Sequence, residues 1–263
     1  MSYRTFYTPC PFVNIMARTA FSAAKGLLRD FGEVENLQVS AKSTKDFVSV
    51  ADRRSEKTIF KELKKAYPDF GFIMEEQGVI EGEKPMTFVI DPLDGTLNFL
   101  NGLPHFAISI GLLLNDTPLA GVILDPVRDE LFWASKGVGA FVNKRRLRAS
   151  TTTKQRTHLI SASHISLPTA QKNYLETFAN FRLSGSTALD LAYVAAGRLD
   201  GFLAYNLPLW DQAAAAIIIE EARGRIHTHP SQLRQGSYTV ACSPSLDEKL
   251  MKMIVEVDTH GGN

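Results

Sequence analysis

Apolar side chains recur at helical spacing through Phe12, Ile15, Met16, Ala20, Ala23, Ala24, Leu27 and Leu28. This predicts an amphipathic helix over residues 12–31 with one buried face. Residues 32–51 show no clean period. Asp52 is placed to cap a second helix running to about Ala66, with Glu56 and Ile59 inside it, and Tyr67-Pro68-Asp69 ends it. Residues 70–74 read as a short strand closed by Glu75 and Glu76, and residues 77–86 as a polar surface loop. The β-type run Phe88-Val89-Ile90 stops abruptly at Asp91-Pro92-Leu93-Asp94, because Pro92 fixes its own φ and keeps Asp91 out of the α region. Residues 107–114 and 119–124 are β-runs divided by the turn signal Asn115-Asp116-Thr117-Pro118, and residues 131–134 and 140–142 continue the pattern. Two helices against an antiparallel or mixed sheet are therefore expected in this half.

Thr151-Thr152-Thr153-Lys154-Gln155 is polar and unpatterned, and it marks the expected boundary between an N-terminal α+β domain (1–150) and a C-terminal α/β domain (151–263). Beyond it, residues 158–162 read as a strand, 169–179 as a helix and 181–183 as a short strand. Ser186 is expected to cap a helix over 188–196 that Gly197 terminates. Residues 201–205 form another strand. Residues 211–222 are an Ala- and Ile-rich helix too apolar to turn any broad side to water.

Composition narrows the function classes. With 29 Lys and Arg against 28 Asp and Glu, the formal net charge of +1 gives no support for a dedicated nucleic-acid binder. The basic run Lys144-Arg145-Arg146-Leu147-Arg148 follows Gly-rich turn signals and reads as a solvated hairpin rim. Only Cys10 and Cys242 are present, which excludes a disulfide framework or thiolate metal cluster and fits a reducing, cytoplasmic setting. No signal-peptide pattern opens the chain and no run approaches the roughly 18 apolar residues of a membrane span.

The candidate chemistry lies in carboxylates at element ends. Glu75 closes one predicted strand, Asp91 and Asp94 close another, and Asp211 opens a helix after Trp210. Hard oxygen donors of this kind hold Mg²⁺, while free N–H groups at the Gly95-Thr96 turn suit an anion. An ordinary Asp-rich turn, a helix cap at Asp52 or Asp211 and a solvated loop acid at Glu75 are the structural alternatives. Lys42 could neutralise phosphate, as could any loop lysine. Zincin, α/β-hydrolase and Walker motifs are absent. Carboxylates beside an anion cradle suit hydrolysis of a phosphate monoester with two or three Mg²⁺ ions.

The stretch Asp91-Pro92-Leu93-Asp94-Gly95-Thr96-Leu97-Asn98-Phe99 resembles the first signature of the inositol monophosphatase family, within the lithium-sensitive, Mg²⁺-dependent phosphatase superfamily. Leu209-Trp210-Asp211-Gln212-Ala213-Ala214 resembles the second signature, about 110 residues on, and residues 185–197 resemble the segment preceding it. The resemblance implies an αβαβα layered sandwich of the inositol monophosphatase/fructose-1,6-bisphosphatase type, commonly a homodimer. It implies that Glu75, Asp91 and the Leu93 carbonyl hold a first Mg²⁺, that Asp91, Asp94 and Asp211 hold a second, and that Glu75 helps place a third. Glu75 and Thr96 would orient the attacking water, with Asp52 behind Thr96. The N–H groups of Gly95 and Thr96 would bind phosphate, Gly185, Ser186 and Thr187 would line the alcohol side, and Asp94 and Asp211 would also belong to the substrate-binding set.

The implied reaction is hydrolysis of a sugar or cyclitol phosphate, with myo-inositol 1-phosphate leading and fructose 1,6-bisphosphate or histidinol phosphate as alternatives. A regulatory scaffold binding protein or RNA is the alternative of another class. Four positions depart from the family pattern: Phe88 for Trp, Leu97 for Thr, Arg223-Gly224 for Gly-Gly, and Ala204 for a Glu that binds inositol hydroxyls. The last removes a recognition group and leaves the metal chemistry intact.

Overall fold

No glycine or proline interrupts residues 41–66, so nothing stops a helix there. In the computed structural model that describes the molecule, the second helix accordingly spans the whole stretch. The structure describes residues 8–37, 41–151, 157–163, 173, 175–230 and 237–260, and only the backbone at 35–37, 41–48, 230 and 255–260. Helices α1 (Pro11–Leu37) and α2 (Ala41–Ala66) come first. Asp52 therefore lies inside α2 rather than at its start, and it faces inward.

Eight strands follow in one sheet: β1 (Gly71–Met74), β2 (Gly78–Ile80), β3 (Met86–Asp94), β4 (Ala107–Leu114), β5 (Thr117–Asp125), β6 (Glu130–Ser135), β7 (Gly139–Val142) and β8 (Arg145–Arg146). Their spatial order is β2-β1-β3-β4-β5-β6-β7-β8. Only the β1–β3 pair is parallel, so the sheet is mixed. Strand β2 falls where a loop was expected, because Val79 and Ile80 pair with the edge of β1. Helix α3 (Thr96–Leu100) sits between β3 and β4.

The second sheet has order β10-β9-β11-β13-β12, built from β9 (His158–Ser163), β10 (Ala179–Arg182), β11 (Gly201–Tyr205), β12 (Arg225–Pro230) and β13 (Ser237–Cys242). Helices α4 (Thr187–Ala195), α5 (Leu209–Glu221) and α6 (Asp247–His260) complete the chain. The helix expected over 169–179 lies mostly outside the described residues, and Ala179 instead begins β10. Strands β12 and β13 and helix α6 had no counterpart in the sequence pattern.

Alternation along the strands sorts the side chains into layers. Phe88 and Ile90 of β3, Ile108, Ile110 and Leu112 of β4, and Ala120, Val122 and Leu124 of β5 pack against α1 and α2. The opposite face contributes Ala107, Ile123, Phe132 and Ala134 to a cluster with α4, α5 and the inner residues Phe202, Ala204 and Ala241 of the second sheet. Leu203, Val240 and Cys242 face outward onto Leu246, Leu250 and Met253 of the C-terminal segment. The result is the five-layer αβαβα sandwich.

Helix α5 lies unusually close to the first sheet. A Cβ on Gly111 would sit 3.0 Å from Ala213 Cβ, and one on Gly121 would sit 2.5 Å from the Ala214 carbonyl oxygen. Two sheet glycines facing two helix alanines permit that approach, which fixes where Asp211 sits. Among the described residues no helix is long and apolar enough to cross a membrane.

Candidate active site

Strand β3 runs in register with β4 to Asp91↔Ser109, then resumes one irregularity later at Asp94↔Ala107. Pro92 and Leu93 form the bulge, as a residue without an N–H requires. Three bonds hold the bend: Leu93 N donates to Asp91 Oδ1 (3.0 Å), Ser55 Oγ of α2 to the Pro92 carbonyl (2.9 Å) and Thr96 Oγ1 to the Leu93 carbonyl (3.0 Å). Gly95 adopts φ 93°, and a Cβ there would also meet the His105 carbonyl at 3.0 Å. Glycine is required on both counts.

Asp94 reaches across to the second half of the chain. Its Oδ1 accepts from Thr187 N (3.1 Å), and its Oδ2 from Ala188 N (3.1 Å) and the Ser186 hydroxyl. Ser186 is the N-cap of α4, as the sequence pattern predicts, and its Oγ accepts from Leu189 N. The carboxylate thus sits at the positive end of α4, where an anion is favoured. Gly185, Ser186 and Thr187 are thereby brought beside the Asp91–Thr96 bend.

Glu75 follows β1, and its N–H donates to the Ile90 carbonyl of β3 (3.3 Å). Glu56 secures the turn after it, accepting from Glu76 N (2.9 Å) and Gln77 Nε2 (2.9 Å). Asp52, one helical turn before Glu56, is buried, and its Oδ1 has no partner. The expected link from Asp52 to Thr96 is not made here, since Thr96 donates to Leu93 instead. Asp211 is the third residue of α5, whose N-cap is Pro208, so it is not a capping residue. The Ser109 hydroxyl holds the preceding carbonyl, that of Trp210 (3.4 Å). The Lys42 side chain lies outside the described residues.

These acids perturb one another. Asp91 is pushed well above the usual carboxylate range, by burial first and then by Asp94, Glu75, Asp211 and Asp52. Burial, with Asp94 and Glu75, pushes Asp211 up to about 8. Burial, with Glu75, Glu76 and Glu56, does the same for Asp52, also to about 8. Glu75 is raised by burial, against a hydrogen bond shared with Asp91 that lowers it. Asp94 rises only to about 6, because Ser186, Ala188 and Thr187 donate to its charged form.

Whether this set fits Mg²⁺ is answered by donor chemistry. Every donor is a hard oxygen, and the buried acids repel one another with no basic partner in the ion pairs of the described residues. Cations relieve such an arrangement. Among the described residues no three acid, His or Cys side chains close into a finished cage. Asp94, committed to α4, is one side chain that would have to share its oxygens. The residues fit the ion in kind, and Glu75, Asp91, the Leu93 carbonyl, Asp94 and Asp211 are the donors available.

The linkage has a sign that can be measured. Asp52 and Asp211 have folded-state pKa values raised from 3.8 to about 8. Their stabilising contribution is complete below the unfolded value and is lost as pH rises through about 8. The metal-free protein is expected to melt at a lower temperature at pH 8.5 than at pH 6, and saturating Mg²⁺ is expected to restore most of the difference. Thermal melts at both pH values with chelator or Mg²⁺ check this, and a melting temperature indifferent to Mg²⁺ at pH 8.5 would count against it.

Several supporting residues escaped the sequence pattern. Ser55 and Glu56 share the buried face of α2 with Asp52, but polar residues at helical spacing look the same whether they face water or a site. Asp190 in α4 is buried against the Ser161 hydroxyl and is pushed up to about 6, by burial first. An acid near a helix start gave no sign of that role.

Comparison with known proteins gives this geometry its context. The inositol monophosphatase family model matches residues 11–259. An inositol-1-monophosphatase of Mesorhizobium japonicum is 47% identical over 221 residues, covering 81% of this chain and 83% of that protein. The Nus factor SuhB of Escherichia coli K12 is 39% identical over 226 residues, covering 81% of this chain and 84% of that one. The crystal structure of the extragenic suppressor protein suhB from Bartonella henselae superposes with a TM-score of 0.81 at 38% identity, covering 94% of this chain and 100% of that one. The matched residues include those that build both sheets and the acid cluster between them, and on a match of that extent the chain belongs to the inositol monophosphatase family.

Proposed function

We propose that the acid cluster hydrolyses myo-inositol 1-phosphate to inositol and phosphate. The reaction class, hydrolysis of a phosphate monoester, is that of the family, which is generally Mg²⁺-dependent. The observation that carries the proposal is the gathering of Glu75, Asp91 and Asp211 around Asp94, which α4 holds in place beside the Gly95–Thr96 turn, so that burial and neighbouring carboxylates raise all three. When bound, two or three Mg²⁺ ions would supply a Lewis acid for the phosphate and an activated water. Glu75, Asp91 and the Leu93 carbonyl would hold one, Asp91, Asp94 and Asp211 another, and Glu75 would share in a third. The chain's own part is to present the N–H groups of Gly95 and Thr96 to the phosphate. Glu75 and Thr96 orient the water, with Asp52 a buried acid on the α2 side of Glu75 rather than a partner of Thr96, and Gly185, Ser186 and Thr187 carry the alcohol.

The same proposal includes a cytoplasmic homodimer and a division near residue 150, with one sheet on each side. A scaffold that binds a protein or RNA partner is the second reading, favoured by the Nus-factor name of the Escherichia coli relative.

Alcohol recognition is expected to be loose. Ala204 is buried in the cluster with α4 and α5 and offers no polar side-chain atom. Its neighbours do not replace the missing acid, since Tyr205 packs with the outer cluster and Asn206 Oδ1 accepts from Ser237 N (3.0 Å). A site without hydroxyl partners carries no penalty for esters that lack hydroxyls. With Mg²⁺ present, kcat/KM for inositol 1-phosphate and glycerol 2-phosphate should agree within roughly tenfold. Li⁺, a small hard cation, should inhibit both reactions. Phosphate-release assays on these esters, with fructose 1,6-bisphosphate and histidinol phosphate alongside, test the proposal. Preference for either of the last two would move the substrate assignment, and no release from any ester would favour the scaffold.

A further inference from the structure

The Asn98 side chain is spent on two backbone carbonyls. Its Nδ2 donates to the His105 carbonyl (2.8 Å) and to the Ser184 carbonyl (2.9 Å), and the residue is only 9% exposed. Both partners are acceptors, which settles the nitrogen end of the amide. One bond stays within the turn that follows Gly95 and Thr96. The other crosses to the segment that opens α4. Gly185, at φ 82°, lies so close that a Cβ would stand 2.7 Å from Asn98 Oδ1. Next along are Ser186, Thr187 and Ala188, the three donors to Asp94.

Two ties therefore join the same halves of the site as one network, with Asp94 on one side of Gly95 and Asn98 on the other. A two-donor amide is what this place requires. A hydroxyl can give only one bond, and a carboxylate would oppose two carbonyl oxygens.

We propose that Asn98 is a positioning residue, which clamps the Ser184–Ala188 segment against the Asp91–Thr96 bend and so sets the direction of the Asp94 carboxylate and the alcohol-side groups. This rests on the function proposed above for Asp94 and Gly185–Thr187, and its structural half can be read without activity.

The experiment uses the full chain, with Asn98→Ala, Asn98→Asp, Ser186→Ala and the Asn98→Ala/Ser186→Ala pair. Asn101→Ala serves as the control, since it removes a bond to the Leu97 carbonyl just past the end of the same helix without touching the second half. Hydrogen exchange at the Thr187 and Ala188 amides should quicken at least tenfold in Asn98→Ala and remain at the wild-type rate in Asn101→Ala. With Mg²⁺ and inositol 1-phosphate, kcat/KM should fall at least tenfold in Asn98→Ala and stay within twofold in Asn101→Ala. The double variant should lie within about threefold of the slower single variant, as residues of one network do. Unchanged exchange in Asn98→Ala, or losses that multiply in the double variant, would overturn the assignment. Should Asn98→Ala fail to fold, Asn98→Asp has the same size and is read in its place, with wild-type exchange and activity again overturning it. If the wild-type protein releases no phosphate, the functional proposal fails alone, and the exchange rates still decide the clamp.

Discussion

Replacing Asp94 with Asn is expected to lower kcat/KM by more than about a hundredfold, or about 2.7 kcal/mol, since even groups one step removed from a metal are worth ten to a hundred. The substitution removes a charged donor from the set that would hold cations. It also disturbs the start of α4, because an amide nitrogen would face one of the N–H groups that Asp94 now satisfies. From the sequence this acid looks like a turn residue with little share in stability. The structure shows otherwise, and an amide nitrogen set against a helix N–H that Asp94 now satisfies should cost about 1–2 kcal/mol of folding free energy. Steady-state kinetics at saturating Mg²⁺ and a thermal melt on the same preparation separate the two effects. Undiminished activity would remove Asp94 from the ligands, and an unchanged melt would remove it from the helix start.

Gly121→Ala should be the more damaging change to the fold. The added methyl carbon would stand 2.5 Å from the Ala214 carbonyl oxygen and 2.8 Å from its Cα, both backbone atoms that no rotamer change can move. Helix α5 must shift off the sheet, at about 3 kcal/mol, which lowers the melting temperature by roughly 10 °C. Asp211 rides on that helix, so activity should fall with it even in the fraction that remains folded. Gly32→Ala is the contrast. It adds a methyl in open space on α1 and should be neutral or stabilising by up to about 1 kcal/mol. Equal melting temperatures for the two variants would show that α5 is not held by this close approach.

What the sequence made legible was whatever depends on local chemistry. The β3 stop at Asp91-Pro92 follows from a proline that can neither donate nor permit a helix before it. The α4 start follows from Ser186, and the burial of α5 from an Ala/Ile surface with no polar side. The αβαβα layering and the reaction class came from resemblance, and the fold and the family match bear both out. Long-range contacts stayed hidden. Asp52 looked like a cap because the polar stretch 41–51 carries no apolar period, yet the absence of a breaker let α2 begin eleven residues earlier. Glu56 and Asn98 act through partners 20 and 86 residues away, and although Asn98 lies within the signature stretch, nothing local says what its side chain bonds. The edge strand β12 was missed because His227, Thr228 and His229 blur the alternation that identifies a strand, and β13, which lies between β11 and β12, is buried on both faces and so shows no alternation either.

The central claim is that the acids gathered around the Asp91–Thr96 bend carry out Mg²⁺-dependent hydrolysis of a phosphate monoester. The most direct test is inorganic phosphate released from myo-inositol 1-phosphate by the wild-type protein and by Asp211→Asn, each with chelator and with saturating Mg²⁺. Release is expected from the wild type with Mg²⁺ only, with a loss of more than about a hundredfold in Asp211→Asn under the same conditions. Release that continues in chelator, or an Asp211→Asn protein as fast as the wild type, would contradict it.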